Sequence, residues 1–177
     1  YIISADGVVQ RIGLGAEGVS RPLPDRVRVV DLALAPDKGH LAYRDQAGQV
    51  WLLDTSGGAP LRLDEAAGLP STQTAGDTLV WSPGGDALAY STPSGARVRF
   101  FSAAQTTLDL SEGAYLQVGW SADGLFLAGE VAPHSWWVYR RDGESLTLTS
   151  AIPSSQGVAW RNSGEIIIAP EAGGLYA

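Results

Sequence analysis

The sequence predicts an all-β chain built of repeated four-stranded antiparallel units, and three observations carry that expectation. Trp81, Trp120 and Trp160, with Leu34 in the same place, head segments that superpose without gaps. Each segment carries an aliphatic residue seven positions on, at Leu88, Leu127, Ile167 and Leu41. The four anchors stand 47, 39 and 40 residues apart, close to the roughly 40 to 45 residues of a four-stranded propeller blade. Inside each interval, short apolar or β-branched runs alternate with Gly, Pro, Asp and Asn, and no helical period appears. The predicted architecture is a β-propeller of four-stranded antiparallel blades, about four to five of them, in a single domain over 1–177.

Taken in order, the elements follow the same grammar. The blade near 25–76 reads as strands "RVVDLAL", "HLAYRD", "VWLLD" and "APLRL", joined by "APDKG", "QAGQ" and "TSGG". Gly, Asp and Asn in such turns supply the positive φ angles that short hairpins need. The blade near 77–112 repeats this with "DTLVW", "DALAYS", "ARVRFFS" and "TTLDL". The blade near 113–153 follows with "YLQVGW", "LFLAGEV", "SWWVYRR" and "LTLTS". Residues 1–24 fit the last three strands of a blade, and 154–177 supply a first, a second and the start of a third. An alternative register that treats "ISADG" as a first turn, like "WSADG", is less favoured, because it leaves only 31 residues from Ile3 to Leu34, short for a comfortable blade. The two end pieces do not complement each other, so an incomplete ring that self-associates or needs a neighbour is expected.

Composition narrows the chemistry. With 19 acidic against 12 basic residues the formal charge is −7, which repels phosphate backbones, so nucleic acid is not an expected partner. Eleven of the cations are Arg and Lys38 is the only Lys; no basic stripe interrupts the acidic trend. There is no Cys, hence no disulfide, thiolate zinc site or thiol nucleophile. No apolar run reaches the length of a membrane span. The chain opens on Tyr1 and holds no Met, which reads as a trimmed or partial product.

The segments "WSPGGDALAY" at 81–90 and "WSADGLFLA" at 120–128 resemble the Trp-Ser-Pro-Asp-Gly-Lys-x-Ile-Ala-Phe hallmark of TolB-type propeller repeats. "APDKGHLAY" at 35–43 keeps the turn but follows Leu34 where the family has Trp, and the last unit has Asn162 and Ser163 in place of Pro-Asp. The resemblance implies a propeller of the kind found in periplasmic binding proteins, bacterial surface proteins and the caps of prolyl oligopeptidase-like peptidases. It does not choose among functions, and an extracytoplasmic location is the expectation that the absence of Cys suits. An indole ending an inner strand in successive blades is expected to wedge between sheets, burying roughly 150–250 Å².

Gly-x-Ser-x-Gly, His-Glu-x-x-His and a phosphate-cradling Gly loop are all absent. His40 and His134 are the only histidines, Asp37 and Asp123 have the ordinary turn role of accepting backbone N–H groups, and no calcium-loop spacing occurs. No catalytic residue, cofactor or metal is therefore expected. "SWWVYRR" sends Trp136 and Val138 to one face of a strand and Trp137 and Tyr139 to the other; both faces of a middle strand are covered, with His134 and Trp136 the most exposed of this stretch.

The reading that follows is a non-catalytic scaffold for a protein partner, as a subunit of a larger assembly, with a glycan as the other ligand class. The alternative is the propeller portion of a larger enzyme such as a peptidase cap; a lactonase-like propeller with a channel metal is a weaker third. Strand direction puts first-to-second and third-to-fourth turns on one face, and second-to-third hairpins with the blade connections on the other. That second face gathers the long insertion at 64–76, which explains the 47-residue spacing, with Arg44, Glu65, Gln73, Thr92, His134 and Trp136 expected to border a recognition surface.

Overall fold

The computed structural model of the chain describes residues 1–12, 19–20, 22–23, 27–64, 79–92, 95–110, 117–153, 155–162 and 164–170. Among them every regular element is a strand. The chain forms two compact units, Tyr1–Ser71 and Thr72–Ala177.

In the first unit, β1 (Ile2–Ile3), β2 (Val9–Ile12) and β3 (Val19–Ser20) make a three-stranded antiparallel sheet. β4 (Val29–Leu34), β5 (His40–Asp45), β6 (Val50–Asp54) and β7 (Leu61–Asp64) make a four-stranded one in sequence order. Val9, Leu23, Val29, Leu41, Tyr43 and Leu53 form their shared core. Tyr43 and Trp51, cross-strand partners on β5 and β6, stack at 6.3 Å. Burial, then the Asp45 charge, pushes the Tyr43 phenol up to about 12.

Turn bonding separates two kinds of hairpin. At the β4–β5 turn Ala35 N–H reaches the His40 carbonyl, five residues on, and Lys38 N–H returns to Ala35. At the β5–β6 turn Asp45 N–H reaches only to Gln49, four residues on. The β1–β2 turn is of the shorter kind, Ser4 N–H to Val8 O. Its Gly7 carbonyl accepts Val29 N–H at 2.8 Å, beside the Gln46 N–H to Arg28 O bond of the β5–β6 turn. β1 and β2 thus sit as second and third strands, and Gly7 needs its φ of 78° to make the bend.

In the second unit, β8 (Leu79–Trp81), β9 (Ala87–Thr92), β10 (Gly95–Phe100) and β11 (Thr107–Leu110) form one sheet, and β12 (Gln117–Trp120), β13 (Phe126–Ala132), β14 (Ser135–Asp142) and β15 (Ser145–Ile152) form the next. β16 (Ser155–Asn162) and β17 (Glu165–Pro170) pair as a two-stranded sheet. Alternation along β14 divides its side chains as expected. Trp137 and Tyr139 join the core shared with β8–β11, around Ala89, Val98, Phe100 and Leu110. Trp136 and Val138 face Val158, Trp160 and Ile166 of β16 and β17.

Candidate functional site

The anchors repeat in geometry as well as in sequence. Trp120 Nε1–H donates to the carbonyl of Val80, one residue before Trp81, at 3.3 Å. Trp160 Nε1–H donates to the carbonyl of Gly119, one residue before Trp120, at 3.4 Å. Each indole therefore bridges from its own sheet to the inner strand of the sheet before it. Trp81 and Trp120 are each 8 % exposed. After each anchor the turn is locked by a serine: Ser82 Oγ accepts Ala87 N–H and Ser121 Oγ accepts Phe126 N–H. Ser121 Oγ in turn donates to Asp123, and Ser82 Oγ to Asp86, two positions later in the repeat. A further bond ties the first and third turns of each full sheet: Thr55 N–H to Gly39 O, Phe101 N–H to Asp86 O and Arg141 N–H to Leu125 O.

On that frame the residues singled out in the sequence are placed as follows. Arg44 is 2 % exposed on β5, opposite Asp31 in the register, and Nη1 donates to the Gly48 carbonyl at 3.3 Å. Thr92 is buried at the end of β9, its Oγ1 donating to Gly95 O. Trp136, expected to be among the exposed residues of its stretch, is instead 4 % exposed. Its ring packs on the β16–β17 side and its Nε1–H donates to the Ser155 carbonyl at 3.2 Å. His134 is exposed at the hairpin tip with φ 65°. Glu65 and Gln73, with most of the 64–76 insertion, lie outside the described residues.

The β13–β14 hairpin is the best organised of these places. Glu130, 8 % exposed, accepts His134 N–H on Oε1 at 2.9 Å and Gln117 Nε2–H on Oε2 at 3.0 Å. The His134 carbonyl accepts Ser155 N–H at 2.8 Å. A buried carboxylate thus fixes the backbone of a tip that leaves one imidazole facing water. Arg44, Thr92 and Trp136 act through what they hold in place, since their own side chains are covered.

Among the described residues no group of three or more His, Cys, Asp or Glu side chains is placed to hold a metal, and no helix is long and apolar enough to cross a membrane. Elsewhere Arg141 pairs with Asp86 through two contacts, Nη1–Oδ1 at 3.1 Å and Nη2–Oδ2 at 2.5 Å. The Arg141 hydrogen bond holds the Asp86 carboxyl at about 2. Beside it, Thr106 Oγ1 donates to Glu144 Oε2 at 2.6 Å.

No protein-family model and no curated protein matches this chain. Solved structures do. A TM-score of 0.58 at 16 % identity relates it to the β-propeller domain of Cps50 (Swd1) from Myceliophteria thermophila, over 90 % of this chain and 61 % of that one. A chain of the mitotic checkpoint complex matches with a TM-score of 0.61 at 18 % identity, over 92 % of this chain and 52 % of that one. The fold is a β-propeller. The chain spans between half and two thirds of the length of these two chains, and three of its described sheets are four-stranded antiparallel blades. The indole bridges are then bonds between successive blades, a role that the spacing of Trp81, Trp120 and Trp160 suggested. The sequence did not reveal a second feature, the gathering of Arg11 and Lys38 beside Leu34; its one trace was Leu34 itself, standing where the other units have Trp.

Proposed function

We propose that this chain is a non-catalytic, extracytoplasmic propeller of TolB type that serves as a docking scaffold for a protein partner within a larger assembly. The observation that carries the reading is the β13–β14 hairpin, where Glu130, Gln117 and Ser155 fix the backbone around an exposed His134. A rigid tip on a rigid blade loses little conformational entropy when a partner closes on it. Likeness to propellers with solved structures supports the frame, and the "WSPGGDALAY" and "WSADGLFLA" segments support the TolB type and, with it, the location. Strand direction assigns the blade connection at 64–76 to the same recognition role, and Arg44 supports the hairpin it stands in through the Gly48 carbonyl.

Shortening 64–76 to a tight Gly-containing turn tests this. The expected result is an unchanged fold with loss of partner capture, measured by crosslinking in the producing cell beside a thermal melt, because loop length itself costs only roughly 0.6 kcal/mol per doubling. Undiminished capture by an intact fold would rule this surface out.

A further inference from the structure

We propose that a cleft on the opposite side of the first unit, between β2 and the β4–β5 and β6–β7 turns, is a binding site for an acidic peptide segment. The cleft originates in a departure from the repeat. In the second unit the indoles of Trp120 and Trp160 each reach the preceding blade and bond to it. Leu34 holds that position in the first unit with a shorter side chain and no N–H, and stays 37 % exposed. Beside it lies an open cavity of about 200 Å³, lined by Tyr1, Arg11, Leu34, Lys38 and Thr55. A second cavity of about 190 Å³ shares Tyr1, Arg11 and Thr55 with it and continues along Ser56, Gly57 and Gly58.

The charge of the lining selects the ligand. In a chain of net charge −7, the first cavity collects an Arg and the only Lys, and none of the described residues in its wall is a carboxylate. The second has one, Asp54, whose Oδ1 is taken up by Ser56 N–H at 2.8 Å and Ser56 Oγ–H at 2.6 Å. The backbone of Lys38 is pinned, its N–H on Ala35 O at 2.8 Å and its carbonyl accepting Thr55 Oγ1–H at 2.7 Å. Its side chain thus rises from a fixed point on the rim. Gly57 and Gly58, at φ 123° and 118°, leave the far rim bare: a Cβ on either would meet nothing within 4 Å. Space of this size is smaller than the roughly 300–1,000 Å³ of pockets for drug-sized ligands. It suits one carboxylate side chain held by Arg11 and Lys38, with an aliphatic neighbour against Leu34 and the peptide leaving past the glycines. A nucleic acid is disfavoured by the field of the whole chain.

Fluorescence anisotropy decides the proposal, with a labelled, end-blocked octapeptide carrying a Leu-Glu-Glu-Leu centre and its Leu-Gln-Gln-Leu counterpart. The glutamate peptide is expected to bind the intact chain, and to weaken as salt rises from about 0.05 to 0.3 M. Lys38→Gln, a change at an exposed turn, and Leu34→Trp, which restores the repeat and fills the cleft, are each expected to weaken it about tenfold. A melting temperature of Leu34→Trp no lower than that of the parent shows that the loss comes from filling. Absence of binding to the parent chain, equal binding of the glutamine peptide, equal affinity for inorganic phosphate, or less than about threefold loss in either variant overturns the site. The chain shortened at 64–76 should bind the peptide undiminished, so the two surfaces fail separately.

Discussion

Trp120→Ala is expected to lower the stability of the chain by about 3–5 kcal/mol, the range for emptying a large aromatic site in a core. Three contacts are lost together. The ring is 8 % exposed within the cluster of Ala87, Val98, Phe100 and Leu127 that joins two blades. Its N–H leaves the Val80 carbonyl, and the Arg141 guanidinium, 5.8 Å from the ring centroid, loses a face to lie over. Trp120→Phe keeps most of the apolar area and removes the hydrogen bond, so about 1–2 kcal/mol is expected there. Urea denaturation of both variants separates wedge from bond. A loss below about 1 kcal/mol for Trp120→Ala contradicts the wedge, since burial on this scale has no smaller cost.

How much of this was legible depends on the range of the interaction concerned. β5 and β6 coincide with the runs "HLAYRD" and "VWLLD" because strong turn residues bracket both. β8 covers the last three residues of "DTLVW", Leu79–Trp81, the first two lying outside the described residues. Period-two alternation assigned Trp136 and Trp137 to opposite faces correctly, since the rule is local. It could not show how far the next sheet reaches, and so Trp136 was expected to be exposed when Ser155 and β16 cover it. Asp86 illustrates the same limit. Its place, two residues after the usual turn acid, looks like a lapse of the motif, yet its carboxylate accepts from Ser82, the counterpart of the Ser121 that Asp123 accepts from, and adds a bond to Arg141, 55 residues away. Cavities are worse still, because the space beside Leu34 is defined by walls from β2 and from two turns.

Arg141→Ala is expected to cost about 2 kcal/mol near neutral pH, and the deficit should shrink in acid. The guanidinium spans two blades. It pairs with Asp86, lies 5.0 Å from the Phe100 ring centroid, and donates from Nε to the Gly143 carbonyl at 2.8 Å. Its side chain is 15 % exposed, so solvent screens it only in part, whereas Asp86 is 55 % exposed. The folded Asp86 titrates at about 2 against an ordinary 3.8, with the Arg141 hydrogen bond the largest cause. A carboxyl whose pKa is lower folded than unfolded stabilises the fold fully above its unfolded pKa. That contribution drains away as pH falls through the folded value. The ionic share, about 1 kcal/mol after screening of the exposed carboxylate, is thus present above about pH 4 and lost toward pH 2. The cation–π and packing share does not titrate in this window. Unfolding free energies of parent and Arg141→Ala, measured at pH 6, 3 and 2, should therefore converge by about that amount and no further. Asp86→Asn should remove the pH-dependent part alone. A deficit for Arg141→Ala that stays constant across the series would show that the aromatic faces of Phe100 and Trp120, and not Asp86, hold the arginine between the blades.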